Sequence, residues 1–357
     1  MNENSKQKKL KVALLFGGRS AEHEISLLSA SAIYKNLDKS KYDCILIYIN
    51  KKGLWKIINS LPFPSSQLEK GIFHSFLPFQ KKQSPLNTSP DIFFPVLHGP
   101  YGEDGTIQGL LEMSDVPYVG ASVLPSAIGM DKSATKNALI MNGLPVTEHL
   151  VIYDNHWHKE QKSILSTIVG QIPLPLFIKP ANMGSSVGIT KVTETNKITD
   201  AVSTAFQYDR KIIVEKAIKG RELECSVLGN DDPFASLPGE IIPYREFYDY
   251  KDKYIEGKTR FKIPAELPDT IINEIQQLSI KAYKAIDCCG MARVDFFLEN
   301  KKKNIFINEI NTIPGFTEIS MFPKLLELSG ISFPVVLEKL IDLAVERHRK
   351  KRKIKAN

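Results

Sequence analysis

The sequence predicts a mixed α/β and α+β protein: an open parallel α/β sheet in its first third, then regions built from strands joined directly to strands. Three observations lead there. Between residues 10 and 128, apolar strand-like runs alternate with helical segments, the pattern of a parallel sheet with helical crossovers. A glycine-rich stretch, ANMGSSVG at 181–188, connects two strand-like runs with no helix between them. Late in the chain, apolar strands at 291–298 and 304–310 flank the polar turn ENKKKN and carry acidic residues.

In order, residues 10–16 read as a buried strand. GGRS at 17–20 turns it into a helix over 21–37, with Ser20 as N-cap. A second strand covers 44–49. Residues 59–90 are rich in Pro and Ser and read as loops and short pieces. A strand at 91–97 ends at His98 and Gly99, and the turn-rich PYGEDG leads into a helix at 106–113. Residues 118–119 begin another short strand. Open sheets bind ligands beyond the carboxyl ends of their strands, and Glu22 and His98 lie just past such ends. Taken alone, His98 reads as a capping or loop histidine.

A helix at 131–141 opens the second region. Strands at 174–179 and 189–192 flank the glycine loop, which matches neither G-x-x-x-x-G-K-[ST] nor G-x-G-x-x-G. Backbone N–H groups of such a loop can still cradle phosphates, and Lys179 at its base supplies positive charge. By itself the loop is equally a small mobile turn. Strands follow at 211–216 and 222–228. An amphipathic helix at 270–286 lines up Ile271, Ile275, Leu278, Ala282 and Ile286. The last helix spans 333–347, before a basic tail.

If the late hairpin is centred on Lys302, Asp295 falls opposite Glu309, and Asn311 shares the face of Glu309. Two opposed carboxylates repel. A hard divalent cation removes that cost, and Asp, Glu and Asn oxygens suit Mg²⁺, with phosphate and water completing its shell. The alternative is a solvated hairpin with scattered acids. Apolar flanks favour the metal, because buried unpaired acids are expensive.

The composition, 43% hydrophobic and 24% charged over 357 residues, is that of a soluble protein with room for two or three domains. The net charge of +7 is matched by the seven Lys and Arg of residues 347–355, so no basic nucleic-acid-binding face is expected on the body. Cys44, Cys225, Cys288 and Cys289 lack metal-ligand spacing and read as reduced cytosolic thiols. The apolar run at 12–16 is too short for a signal peptide, and no membrane span is expected.

Two lysines (Lys132, Lys179), a strand-to-strand glycine loop and a late Asp…Glu-x-Asn set, in this order, resemble the ATP-grasp fold behind a Rossmann-like N-terminal domain. The resemblance narrows to the D-alanine–D-alanine ligase family through AEHEIS at 21–26, HG at 98–99, GEDG at 102–105, MDK at 130–132, GSSVG at 184–188, FYDY at 247–250, KY at 253–254, RVD at 293–295 and NEINT at 308–312. It covers residues 11–345 apart from about 56–90, where family members vary in length. The implied organisation is a tail at 1–9, a substrate domain at 10–128, a central ATP-grasp lobe at 129–218, a C-terminal lobe with metal site and lid at 219–348, and a basic tail at 349–357.

The family resemblance implies ATP and two Mg²⁺ (or Mn²⁺) as cofactors, two D-alanine molecules as substrates, and a cytoplasmic homodimer that engages neither nucleic acid nor membrane. It puts Lys132 and Lys179 on the phosphates, Glu215, Lys216 and Ile218 on the adenine edge, Glu222 on the ribose, and Ser186 and Asn308 among the nucleotide contacts. Asp295, Glu309 and Asn311 would hold the metals. Glu22 would bind the first D-alanine ammonium, with His98, Arg293 and the Gly315 N–H facing its carboxylate. Lys253 and Ser320 would hold the second carboxylate. Met321 stands where leucine is common, which leaves a main-chain contact intact. Ser185 and Tyr254 would link Glu22 to a lid at 244–261. The implied chemistry is ligation through a D-alanyl phosphate, with an amine rather than a hydroxy acid as acceptor because Tyr254 is present.

Overall fold

The run LKVALLFG forms strand β1 (Leu10–Gly17), and consecutive residues of both parities are buried along it. Such a strand is covered on both faces, as in the middle of a parallel sheet. The structure, a computed structural model, describes residues 8–61, 68–72, 89–244 and 259–354. Helix α1 (His23–Asn36), β2 (Tyr42–Ile49), β3 (Trp55–Ile58) and β4 (Ile92–Val96) follow. The sheet order is β3-β2-β1-β4, with β2 and β4 parallel to β1. The edge strand β3 departs from the expected parallel sheet and runs antiparallel to β2. Residues 50–54 are too few for a crossover; Asn50 Oδ1 accepts from the N–H groups of Lys52 and Leu54 at 3.0 and 2.9 Å and makes a tight turn instead. The strand expected at 118–119 is reduced to one parallel bridge, Phe93 to Tyr118. Ser20 is not the N-cap of α1. Glu22 holds that position, while Ser20 Oγ accepts from the Glu22 N–H at 3.1 Å and donates to the His98 carbonyl at 2.5 Å.

Helices α2 (Thr106–Met113), α3 (Val123–Met130) and α4 (Lys132–Met141) lead into the central lobe. There β5 (His149–Tyr153), α5 (Asp154–Gln171), β6 (Leu176–Pro180), β7 (Thr190–Val192), α6 (Ile198–Phe206) and β8 (Lys211–Lys216) build an antiparallel sheet ordered β5-β8-β6-β7. Three of these elements were not expected. Helix α5 buries only Trp157 and Ile168, so its periodicity is faint. Helix α6 buries Ile198, Ala201, Val202 and Ala205 at helical spacing, a stripe that is legible in the sequence.

The C-terminal lobe contains β9 (Gly220–Gly229), β10 (Phe234–Ala235), β11 (Gly239–Ile242), β12 (Arg260–Lys262), α7 (Asp269–Ala285), β13 (Gly290–Glu299), β14 (Ile305–Asn311), α8 (Met321–Leu328) and α9 (Phe333–Lys353). Its sheet runs β12-β11-β9-β13-β14, with β10 on β9. Among the described residues no helix is long and apolar enough to cross a membrane.

Helix α9 turns the chain back to its beginning. Val336, Leu337, Leu340, Ile341 and Ala344 share one core with Val12, Leu14, Ile33 and Phe94 of the first sheet and α1. The basic segment expected to be a loose tail from residue 349 instead stays helical to Lys353. Lys350 pairs with Asp231 and Glu346, each at 2.6 Å, and Lys351 pairs with Glu112. These bridges are exposed and therefore weak. Deleting residues 349–357 is expected to lower Tm by no more than about 3 °C and to leave kcat within about twofold. A large loss of kcat at unchanged Tm would place the segment in catalysis.

Candidate active site

Three regions of the chain converge at the glycine loop. Ser185 and Ser186 adopt left-handed backbone, φ 49° and 59°, which non-glycine residues rarely accept. Ser185 Oγ donates to Glu22 Oε1, joining the central lobe to the first sheet. The Glu22 carboxylate is wedged between two glycines: a Cβ on Gly99 or Gly184 would lie 2.9 or 3.0 Å from Oε2. That close approach is why both positions lack a side chain.

His98 is 4% exposed, and both ring nitrogens are engaged. Nε2 lies 3.1 Å from Ser29 Oγ; Nδ1 lies 3.1 Å from the Ile313 carbonyl and 3.4 Å from Glu103 Oε1. Ser29 Oγ also accepts from the Phe316 N–H at 3.3 Å. The groups that His98 meets in this structure are protein groups. A buried imidazole with both nitrogens occupied clamps the 313–316 loop, which carries Gly315, onto the first sheet. Burial alone would push the His98 pKa down, but the hydrogen bond and charge of Glu103, helped by Glu22, raise it overall. Glu103 is itself raised by burial. A group raised in the folded state stabilises below its unfolded pKa and loses that contribution as pH rises through the folded value. Glu103→Gln should therefore lower Tm more at about pH 6 than at about pH 9. Equal losses at both would remove the charged pair from the account.

Lys132 is the first residue of α4, whose N-cap Asp131 accepts from the N–H groups of Ser133 and Ala134, both at 3.0 Å. That cap aims Lys132 at the glycine loop, where Nζ donates to the Met183 carbonyl at 2.6 Å. Lys179 is the last residue but one of β6, paired with Ile213 of β8; its Nζ is 2.5 Å from Glu215 Oε2. Burial would lower Lys179, yet Glu215, helped by the charges of Glu309 and Glu222, raises it overall. The Glu215 side chain is committed to Lys179 and Lys136, which holds it far below the usual carboxylate range despite burial. Any contact of Glu215 with a base must therefore come from its backbone. Lys216, Ile218 and Glu222 are partly exposed, Ile218 in the link between β8 and β9.

The acidic hairpin forms, by a route the simple centring does not capture. Near the turn, Leu298 pairs with Ile305 and Phe296 with Ile307; then a β-bulge leaves Asn308 extra and Asp295 pairs with Glu309. Without it Asp295 would face Asn308, and Glu309 would turn to the core side of the strand. The bulge re-aims Glu309 onto the face that holds Asp295, Arg293 and Asn311. The parity change in I-F-I-N-E-I-N, apolar at 305, 307 and then 310, is its sequence signature. On β9, Glu224 pairs with Asp295 and Ser226 with Arg293. Arg293 binds both Asp295 oxygens at 2.7 Å and approaches Glu224 at 3.1 Å, while Asn311 donates to Asp295 at 3.0 Å. Burial opposes the guanidinium charge, but Asp295 and Glu224 raise its pKa well above the usual value.

Beyond β14, Gly315 and Ser320 meet closely: a Cβ on Gly315 would fall 2.7 Å from Ser320 Oγ. Ser320 Oγ accepts from the Thr317 N–H at 3.0 Å instead of capping α8. Met321 buries its side chain against Gly239, so only its main chain can face a ligand. Lys253 and Tyr254, with most of the expected lid, lie outside the described residues.

The sequence matches the family model "D-ala D-ala ligase N-terminus" over residues 11–121 and "D-ala D-ala ligase C-terminus" over 139–342. The chain belongs to the D-alanine–D-alanine ligase family. A D-alanine–D-alanine ligase of Caldicellulosiruptor bescii is 48% identical, with 97% of this chain and 98% of that protein covered. One from Solibacter usitatus is also 48% identical over 96% and 98%. The solved D-alanine–D-alanine ligase of Coxiella burnetii superposes with a TM-score of 0.86 at 39% identity, covering 97% of both chains. The VanG D-Ala:D-Ser ligase of Enterococcus faecalis does so at 0.82 and 34%, covering 94% and 100%.

Within this ligase-family framework, three residues beside the site escaped the sequence reading. Glu103 lies in the GEDG motif, and its pairing with His98 spans a turn. Glu224 alternates with Glu222 along β9, a signal that needs only the neighbouring strand to become meaningful. Lys136 follows Lys132 by one helical turn, so their shared face was readable. Among the described residues, no group of three His, Cys, Asp or Glu side chains is set to enclose a metal. Two carboxylates and an amide on one strand-pair face fit Mg²⁺, which takes few protein ligands and shares the rest with phosphates and water.

Proposed function

We propose that this site uses ATP to activate one D-alanine as D-alanyl phosphate and then joins it to a second. ATP-dependent ligation of D-alanine to D-alanine, for peptidoglycan synthesis, is the activity of the family to which the chain belongs. A carboxylate is a poor electrophile because its leaving group would be oxide. Its oxygen attacks the γ-phosphorus, the bond to ADP breaks, and an acyl phosphate results. The deprotonated amine of the second D-alanine attacks the acyl carbon, the C–O bond to phosphate breaks, and phosphate leaves.

Lys132 and Lys179 steady the phosphates as point charges. Two Mg²⁺ (or Mn²⁺), held by Asp295, Glu309 and Asn311, would neutralise charge on the transferring group. Glu22, backed by Ser185, receives the first ammonium. Arg293 and the Gly315 N–H stabilise the oxyanion, and the His98 clamp holds Gly315 in place. Ser320 and Lys253 take the second carboxylate, with a lid around 244–261 excluding water. The observation that carries this reading is the one face of β13 and β14 that gathers Arg293, Asp295, Glu309 and Asn311, with Arg293 on both Asp295 oxygens at 2.7 Å. A cytoplasmic homodimer, apart from nucleic acid and membrane, completes it; the family resemblance supports this.

The acceptor is proposed to be D-alanine, as the relatives at 48% identity are named for it. D-Serine is the competing acceptor, since VanG shares the fold. The test supplies ATP and D-alanine with excess D-serine or D-lactate and separates the products. D-alanyl-D-alanine should predominate in both mixtures. Mainly D-alanyl-D-serine or D-alanyl-D-lactate would overturn the acceptor assignment, and no ADP release at all would overturn the enzyme reading.

A further inference from the structure

Lys136, on α4, is 1% exposed, and the mechanism above leaves it without a role. Its Nζ lies 2.9 Å from Glu215 Oε1 and donates to Thr147 Oγ1 at 2.9 Å. The other oxygen of Glu215 is held by Lys179 at 2.5 Å. One carboxylate, 3% exposed, is thus divided between two buried ammonium groups.

We propose that Lys136 is a positioning residue that keeps Glu215 neutralised, so that Lys179 can exchange its carboxylate partner for a nucleotide phosphate. This rests on the reading of Lys179 as a phosphate contact. Were Lys179 the sole partner of Glu215, its departure would strand a buried carboxylate, and the phosphate would compete against that penalty. With Lys136 in place, Glu215 keeps a cation, and Thr147 fixes that cation. Burial and the nearby Lys179 depress Lys136, which Glu215 only partly offsets. Helix α4 presents Lys132 and Lys136 one turn apart, so one element delivers both a phosphate lysine and the partner that releases the other.

The test measures binding of ATP, with Mg²⁺, and of adenosine to the full-length protein by calorimetry, for wild type and for Lys179→Met, Lys136→Met, Glu215→Gln and Lys136→Met/Glu215→Gln. Lys136→Met is expected to weaken ATP by at least about tenfold and adenosine by less than about twofold, because the deficit arises at the phosphates. Adding Glu215→Gln should restore ATP binding to within about threefold of Glu215→Gln alone, since no carboxylate then holds Lys179. Unchanged ATP binding in Lys136→Met, equal losses for ATP and adenosine, or no recovery in the double variant would overturn the proposal. If Lys136→Met does not fold, the comparison of the double variant with Glu215→Gln decides, and a further tenfold loss there refutes it. Full ATP affinity in Lys179→Met would instead refute the phosphate assignment on which the proposal stands.

Discussion

Glu309→Gln is expected to lower kcat by at least about a thousandfold while the protein melts within a few degrees of the wild type. The substitution is nearly isosteric, and residue 309 is only half-buried, so packing changes little. What is lost is charge at a position to which the bulge in β14 delivers it. Glu309 helps raise both Lys179, the proposed phosphate contact, and Arg293, the proposed oxyanion donor. As the proposed ligand shared by both metals, it is the residue whose neutralisation damages both at once. Coupled ADP release reports turnover, and Mn²⁺·ATP titration reports the metal site independently of turnover. Normal ADP release from folded Glu309→Gln protein would remove the metal assignment.

Arg293→Lys should lower kcat about a hundred- to a thousandfold, with a smaller change in KM for ATP. Lysine keeps the positive charge that buried Glu224 and Asp295 require, which protects folding. It cannot reproduce the fork that binds both Asp295 oxygens at 2.7 Å. A compact ammonium drawn toward one acid no longer presents N–H groups to the developing oxyanion. A steady-state comparison is sufficient: kcat within about threefold of wild type would show that Arg293 serves the acidic row alone.

Much of the local structure around the candidate site was legible because its signals are local. The pairing of Asp295 with Glu309 follows from alternation and a polar turn, although a bulge, not simple symmetry, produces it. The glycine loop joins strand to strand as its flanks require. Helix α2 begins and ends at the residues its periodicity indicates. The faint stripe of α5 and the antiparallel β3 were harder to read, since one has few apolar positions and the other depends on a side-chain-made turn.

By itself the sequence determined the family, the order of strands and helices around the loop and the hairpin, and the chemical types gathered there. Tertiary structure alone decided what each side chain is paired with. His98 became a clamp because Ile313, more than two hundred residues later, brings a carbonyl to its Nδ1. Glu215 became an ion-pair centre because α4 and β6 place Lys136 and Lys179 on either side of it. Alternation and helical periodicity are written into neighbouring residues by backbone geometry, whereas a buried charge finds its partner only when separate elements pack and exclude water between them.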